Sequence, residues 1–347
     1  MISRNYRLLP WLSILLLFPP LLGAESRPQD SRPFFFGVAL DGYPITKERL
    51  IETGEEIAVT PQMVVFFLQW PPIGDQTSSR FPKGSLDAIW HSGAIPCLTW
   101  EPMYFSEGRE IMVPWKAIVH GAYDEYLKGF AREAASWNRP FMIRFGHEMN
   151  IARYHWGTDP SGYGPESPST YKRMFRYVVT LFQEAGADNA VWVFCPNAES
   201  VPNVSYDPTA SWNRVEAYYP GSAYVDILGM DGYNWGTTQT KAANGWDSQW
   251  REFDDIFRPA WEKLRGLAPN KPVFVFETAS VNQGGDKGLW IKNAFETARG
   301  WELNGLVWFH VNKETDWRIN RGQAALYGNL PGPTRCSPHG WIRGFRK

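Results

Sequence analysis

Two glutamates stand where short apolar segments end. Glu148 follows the apolar run at 141–146, and Glu277 follows the run at 272–276. Two carboxyl groups across a cleft suit hydrolysis of a glycosidic bond, in which a protonated one donates to the leaving oxygen and an ionised one attacks the anomeric carbon. The alternative for either residue is an ion pair at a strand end, for example with Arg144. Together they predict a carboxylate-based catalytic site.

The elements that must position this pair follow from the hydrophobic pattern. Apolar runs without alternation are typical of parallel strands buried on both faces, and amphipathic segments such as those at 124–137, 169–187, 249–267 and 287–299 separate them. We predict eight strands, at 34–40, 63–70, 94–100, 141–146, 190–195, 225–230, 272–276 and 305–309.

An eightfold repeat of strand and helix predicts an α/β fold, a single-domain (β/α)8 TIM barrel. A doubly wound open sheet is the alternative, but no glycine-rich dinucleotide or phosphate loop follows the first strand. Active sites in such barrels lie at the carboxyl ends of the strands. The fourth and seventh strands, which precede Glu148 and Glu277, would face each other across the mouth.

Composition limits the partners. The net charge of −1 gives no electrostatic case for nucleic acid or an anionic membrane. The 18 Trp, 15 Tyr and 21 Phe provide core and also flat surfaces on which sugar rings stack, so a polysaccharide is the expected partner. We expect no cofactor, no metal and a monomer. Cys97 and Cys195 are predicted to be buried thiols, and a disulfide involving Cys336 remains open.

The N-terminus resembles a secretory signal. Arg4 and Arg7 precede an apolar run at 8–22, and small residues follow at 23–24. A membrane anchor is the alternative, but the run is short and prolines interrupt it. We predict a signal peptide at 1–24, a linker at 25–33 and a catalytic domain at 34–347 that is secreted or periplasmic. The tail at 328–347 is expected to pack loosely.

Seven motifs in order resemble glycoside hydrolase family 26, a family of barrel β-mannanases and related β-glycanases in a retaining clan. The resemblance covers about 34–320, through 99–102 (TWEP), 144–150 (RFGHEMN), 192–197 (WVFCPN), 219–221 (YPG), 231–235 (DGYNW), 276–279 (FETA) and 313–318 (KETDWR).

The resemblance implies a role for each matching residue. Glu148 would be the general acid/base and Glu277 the nucleophile, with His147 near the reacting sugar and Tyr233 holding the nucleophile. The remaining residues would contact sugar: Trp100 and Trp317 as cleft walls, Arg318 at a distal subsite, and Asn150, Trp156 and Trp235 on the rim.

The segment at 151–157 (IARYHWG) departs from the family pattern, because Arg153, Tyr154 and His155 replace part of an aromatic wall. The expected substrate is β-1,4-mannan, with mixed-linkage β-1,3-1,4-glucan and β-1,3-xylan as alternatives.

Two other classes compete with a retaining endo-β-glycanase. A non-catalytic carbohydrate-binding barrel would need the two carboxyls to be apart. A metallohydrolase using His147, Glu148 and His155 lacks the H-E-x-x-H spacing. Glu101, Glu199 and Asp231 also follow strands, and they are expected to hydrogen-bond within loops or to sugar hydroxyls.

Overall fold

The computed structural model describes residues 33–75, 80–323 and 337–345, which belong to one compact unit, Arg32–Lys347. The predicted signal segment, the linker up to residue 32 and Cys336 lie outside the described residues. The strands are β1 (Phe35–Ala39), β2 (Met63–Gln69), β3 (Ile95–Glu101), β4 (Met103–Ser106), β5 (Arg109–Met112), β6 (Phe141–Phe145), β7 (Ala190–Phe194), β8 (Ile227–Asn234), β9 (Val273–Ser280) and β10 (Gly305–Phe309).

Eight of these strands close into a barrel in the order β1-β10-β9-β8-β7-β6-β3-β2, and every neighbouring pair is parallel. Each coincides with one of the eight predicted strands, so the (β/α)8 prediction is confirmed. The open-sheet alternative is wrong, because β1 pairs with β10 and closes the ring. Strands β1, β3, β6, β7, β9 and β10 are buried along their whole length, which explains their apolar sequences.

Helices lie between the strands, and their apolar faces pack on the barrel. Helix α4 begins with Asp124 and Glu125, whose charges favour a helix N-terminus, and ends at Asn138, which has φ +55°. The helices are α1 (Lys47–Ile57), α2 (Lys83–His91), α3 (Trp115–Val119), α4 (Asp124–Trp137), α5 (Ser167–Glu184), α6 (Val215–Tyr218), α7 (Lys241–Asn244), α8 (Phe253–Leu267), α9 (Lys287–Gly300) and α10 (Pro338–Arg343). No helix in the described ranges is long and apolar enough to cross a membrane.

The described part of the C-terminal tail packs against the amino ends of the barrel strands. In α10, the Trp341 ring lies 5.4 Å from Phe35 and 5.5 Å from Phe274 (ring centroids), and Ile342 is fully buried. The expectation of a loosely packed tail is therefore wrong for residues 337–345, because their apolar side chains join the core.

Sequence patterns missed some features. The antiparallel pair β4–β5, a hairpin that follows β3, was not predicted. Strands β8 and β9 extend to Asn234 and Ser280, four residues beyond their predicted ends, so Glu277 lies within β9. The prediction of buried thiols at Cys97 and Cys195 is confirmed.

Candidate active site

Arg144 is the buried hub of the barrel mouth. It lies on β6 with no exposed surface, and its Nη1 donates to both carboxylate oxygens of Asp231 on β8, at 2.8 and 2.9 Å. Its Nε donates to Thr99 Oγ1 on β3 at 3.0 Å, and its Nη2 donates to Glu277 Oε1 on β9. One guanidinium therefore joins four barrel strands through charge-assisted hydrogen bonds.

An irregularity in β9 gives Glu277 its direction. Met230 pairs with Val275, whereas Asp231 pairs with Glu277, so β9 has one extra residue, Phe276, relative to β8. The guanidinium carbon of Arg144 lies 5.9 Å from the Phe276 ring, and Glu277 binds the same guanidinium. Both consecutive side chains thus face the barrel interior, because a bulge redirects a side chain that regular alternation would turn outward.

Glu277 accepts hydrogen bonds at both of its carboxyl oxygens. Besides the bond from Arg144, its Oε2 accepts a hydrogen bond from the Tyr233 hydroxyl at 2.6 Å, and the residue is 5% exposed. Two donors, one of them charged, fix the direction of the carboxyl group. Tyr233 stays protonated, because burial and then the charge of Glu277 raise the pKa of the phenol.

Glu148 lies in an environment that favours the protonated carboxyl. It follows β6, its φ is +50°, and its backbone N–H donates to Cys195 O at 2.8 Å, which fixes an unusual backbone conformation. Burial and then the negative charge of Glu277 raise the pKa of Glu148 to about 7, although a hydrogen bond from Asn197 acts to lower it. Asn197 Nδ2 donates to Glu148 Oε1 at 2.7 Å. The two glutamates therefore have different hydrogen-bond partners, Asn197 for Glu148 and Arg144 and Tyr233 for Glu277.

Asn150 positions Asn197, the hydrogen-bond donor to Glu148. It is fully buried, its Nδ2 donates to Asn197 O at 2.9 Å, and its Oδ1 accepts from Asn197 N at 2.8 Å. The expectation that Asn150 contacts sugar on the rim is therefore corrected, because both ends of its amide bind protein. Asn197, which Asn150 binds, is the asparagine that contacts Glu148.

His147 is also buried at the mouth. One of its ring nitrogens lies within 4.8 Å of a carboxylate oxygen of Asp231 and of Glu277, and its Nδ1 has no partner among the described residues. Burial and the nearby Arg144 charge keep the pKa of His147 well below its usual range, so the imidazole is neutral. The backbone O of His147 accepts a hydrogen bond from Trp156 Nε1 at 2.6 Å. Trp156, 4% exposed, therefore supports His147 and does not form an open rim.

The same three groups, His147, Asp231 and Glu277, resemble a metal-ligand set. Arg144 already donates to both carboxylates, so a guanidinium supplies the positive charge that a cation would bring. The metallohydrolase alternative required His147, Glu148 and His155 to meet. His155 does not join the other two, because it is half-exposed and its Nδ1 lies 3.3 Å from Ala152 O.

An aromatic wall adjoins Glu277 through Tyr233. The Tyr233 ring centroid lies 5.1 Å from that of Trp317 and 6.3 Å from that of Trp235, and Trp235 packs edge-on against Trp317 at 4.8 Å. Trp235 is half-buried and contacts Trp246, which is 46% exposed, so the wall continues outward to solvent. Both predicted tryptophans, 235 and 317, lie on the side of the mouth that carries Tyr233, but Trp317 is only 1% exposed and supports the wall from behind.

Trp100 is not part of this wall. Thr99 and Glu101 flank it on β3, and Thr99 faces Arg144 inside the barrel, so alternation turns Trp100 outward. Its ring lies 4.4 Å from Phe130 of α4, its Nε1 donates to Tyr126 of the same helix, and it is fully buried. The expectation that Trp100 lines a sugar cleft is therefore corrected: it is a core residue between barrel and helix.

Arg318 lies apart from the buried cluster formed by Arg144, Asp231 and Glu277. Its Nε and Nη2 bind the carboxylate of Asp316 at 2.8 and 3.0 Å, and about half of its side chain is exposed. The structure shows the local ion pair and no contact with the residues around Glu277, so its role at a distal subsite stays a prediction.

Some site residues were not assigned from sequence. Arg144 was expected at most to neutralise a strand-end glutamate, and Asn197 was noted only as part of a motif. Tyr154 was counted as a departure, yet its ring lies 4.7 Å from that of His147 and stacks on Trp156 at 4.9 Å. An arginine in the middle of an apolar strand was a usable signal, because a buried charge requires a partner.

A cavity of about 780 Å³ lies elsewhere, lined by α1, α2 and Val64 on the outer face of the barrel. None of the residues of the buried cluster line it. The chemistry of the mouth, and not cavity size, therefore identifies the candidate site.

Comparisons with known proteins show similarity to glycoside hydrolases. The sequence model described as Glycosyl hydrolase family 26 matches residues 125–261, which include Glu148. Endoglucanase H of Acetivibrio thermocellus is 34% identical over 264 residues, 75% of this chain and 26% of that protein. A mannan endo-1,4-beta-mannosidase of Bacillus subtilis is 34% identical over 193 residues, 54% of this chain and 43% of that protein. The chain thus spans less than half the length of either relative.

Solved structures agree in fold. A mannanase of Bacillus subtilis superposes with a TM-score of 0.60 at 20% identity, covering 87% of this chain and 86% of that one. A β-mannanase of Bacteroides ovatus gives a TM-score of 0.54 at 16% identity, with 89% and 90% covered. At such identities the likeness shows a shared (β/α)8 fold.

Proposed function

Because the chain belongs to glycosyl hydrolase family 26, we propose that it is a retaining endo-β-glycanase in which Glu148 is the general acid/base and Glu277 the nucleophile. One observation carries the proposal: the same mouth holds a carboxyl whose burial favours the acid and a carboxylate held by Arg144 and Tyr233. This is the division of roles that double displacement at an anomeric carbon needs.

The reaction has two steps. In the first, a Glu277 oxygen attacks the anomeric carbon while Glu148 gives its proton to the glycosidic oxygen, so the C–O bond to the leaving sugar breaks and a glycosyl ester forms. In the second, Glu148, now ionised, takes a proton from water, which attacks the same carbon and releases Glu277. Arg144 and Tyr233 orient Glu277, and the neutral His147 is placed to hydrogen-bond the reacting sugar.

We propose β-1,4-mannan as the substrate. Two observations support this assignment: the similarity to mannan endo-1,4-beta-mannosidases, and the aromatic wall, in which Tyr233 and Trp235 are partly exposed and can stack on sugar rings. Trp246 extends this wall toward solvent, which suits a chain that continues past the reacting sugar and therefore an endo mode of action.

A β-glucan is the second candidate. A protein named Endoglucanase H matches 75% of this chain, and the segment at 151–157 departs from the mannanase pattern in the wall beside His147. Mixed-linkage β-1,3-1,4-glucan is accordingly the alternative substrate, and β-1,3-xylan follows it. The location proposed for the enzyme is secreted or periplasmic, by cleavage near residue 24, and its proposed state is a monomer.

Parallel product analysis tests the function. Wild-type protein is incubated with β-1,4-mannan, barley β-glucan and β-1,3-xylan, and products are followed by chromatography and anomeric NMR. Oligosaccharides of several lengths from mannan, released with retained β configuration, are expected. Hydrolysis of none of the three by folded protein would contradict the proposal, and inverted products would contradict its mechanism. Preference for barley glucan would transfer the assignment to the alternative substrate.

A further inference from the structure

A second buried carboxyl lies at the mouth, and the proposed mechanism does not use it. Glu101 is the last residue of β3, is 4% exposed, and pairs in register with Gln69, the last residue of β2. Because it alternates with Trp100, which faces the helices, its side chain faces the same interior as Thr99. It is thus at the carboxyl end of the barrel, where ligands bind.

The hydrogen bonding of Glu101 is incomplete. Its Oε2 accepts from the Gln69 amide, whereas its Oε1 has no protein partner within the described ranges. A carboxyl oxygen that binds no protein donor can accept a hydrogen bond from a ligand hydroxyl at the mouth. The negative charge of Glu277 acts on this carboxyl, which places both groups in one electrostatic environment.

The wall beside Glu101 is polar and braced. The charges of Glu148 and Glu101 both act on the Tyr154 hydroxyl, so this phenol lies near both carboxyls. Arg153 stacks on Tyr154 at 4.8 Å and also binds Glu110 on β5 through two hydrogen bonds of 2.5 and 2.7 Å. The mouth therefore has an aromatic wall that includes Tyr233 and a polar wall that includes Glu101.

We propose that Glu101 and Gln69 form a hydroxyl-binding site that a sugar residue of the polysaccharide occupies beside the catalytic pair. The inference rests on the proposed function and goes further by assigning a specificity-determining contact. Carboxylate and amide groups held on neighbouring strand ends accept and donate hydrogen bonds to adjacent hydroxyls, and a site of this kind discriminates against a sugar that lacks or inverts one of them.

The competing role for Glu101 is that of general acid, since burial also raises the pKa of Glu101 to about 7. Leaving groups distinguish the two roles. An acid matters when the leaving oxygen needs a proton and hardly matters for a good leaving group. A contact to a sugar hydroxyl matters equally for both.

The test compares Glu101→Gln, Glu101→Ala and Gln69→Ala with wild type, and with Glu133→Ala on the exposed face of α4 as a matched control. Substrates are the best polysaccharide and aryl oligosaccharides with 2,4-dinitrophenyl or phenyl leaving groups. We expect kcat/KM to fall about 10- to 100-fold in both Glu101 variants, equally for the two aryl substrates and mainly through KM, which is the effect of one hydrogen bond to a charged group. The control stays at the wild-type value.

Unchanged kinetics in folded Glu101→Gln, or a loss confined to the phenyl substrate, would overturn the proposal. A binding arm separates it from the proposed function. Mannohexaose and a mixed-linkage glucan oligosaccharide are titrated calorimetrically into Glu277→Ala with and without Glu101→Gln. About tenfold weaker binding in the double variant supports the hydroxyl site even if wild type hydrolyses nothing, and equal binding refutes it even if wild type is active.

Discussion

Removing the amide of Asn197 should move the alkaline limb of the pH–rate profile. Asn197 Nδ2 donates to Glu148 Oε1 at 2.7 Å and stabilises the ionised carboxyl, while burial raises the pKa of Glu148 to about 7. The proposed reaction needs protonated Glu148, so activity should fall as the pH rises through about 7. In Asn197→Ala, the carboxylate loses a donor and the proton is held more tightly.

The magnitude follows from one hydrogen bond to a charged group, worth about 1.5 kcal/mol or more. At 1.36 kcal/mol per pKa unit, the alkaline limb of kcat/KM should shift upward by about one unit. The free energy of unfolding depends on pH for the same reason. Because the pKa of Glu148 is raised in the folded state, its contribution to stability is complete below the ordinary value near 4.5 and is lost as the pH rises through about 7. The variant should therefore be most destabilised, relative to wild type, above pH 7.

The assay is kcat/KM against pH with a soluble oligosaccharide, together with urea unfolding at pH 5 and pH 8. Asn189→Ala is the matched control, because Asn189 is a buried asparagine whose amide also donates two hydrogen bonds, to Ala134 O and Arg139 O, away from the mouth. The control should lose stability and keep the wild-type profile. A downward shift, or an equal shift in both variants, would refute the reasoning.

Three further outcomes are expected. Tyr233→Phe removes the donor to Glu277 Oε2 and should lower kcat about 10- to 100-fold at nearly constant Tm, with steady-state kinetics as the measurement. Arg144→Met leaves two buried carboxylates without their cation, so the free energy of unfolding in urea should fall by about 3–5 kcal/mol at pH 7, and the deficit should shrink at pH 4 as they take up protons. Trp100→Ala should lower the free energy of unfolding by about 3–5 kcal/mol and keep KM within twofold of wild type. A large rise in KM would instead show that Trp100 lines the sugar cleft.

The barrel could be predicted because its strands differ sharply from their surroundings. Runs such as 141–146 are apolar on both faces, and amphipathic segments of helical length separate them. Glu148 and Glu277 were selected because each follows an apolar run, and the parallel strands of the barrel place the carboxyl ends of both runs at one mouth. Helix α4 was bounded correctly at Asp124–Trp137, where acids open the helix and Asn138 ends it.

Because the strands are apolar on both faces, their sequences do not show which side chains face the barrel interior. With both faces apolar, the sequence of β3 does not show that Thr99 lies inside and Trp100 outside, so Trp100 was misplaced. The bulge at Phe276 depends on pairing with the neighbouring strands, and no local pattern marks it. The bracing of Asn197 by Asn150 joins residues 47 positions apart, a relation that only the folded chain contains.

Azide rescue tests the central claim most directly. Glu277→Ala and Glu148→Ala are assayed with 2,4-dinitrophenyl oligosaccharides in added azide, and the glycosyl azides are identified by NMR. If Glu277 is the nucleophile and Glu148 the acid/base, the first variant yields the α-azide and the second the β-azide. Wild-type activity in either variant, or azides of one configuration from both, would contradict the assignment.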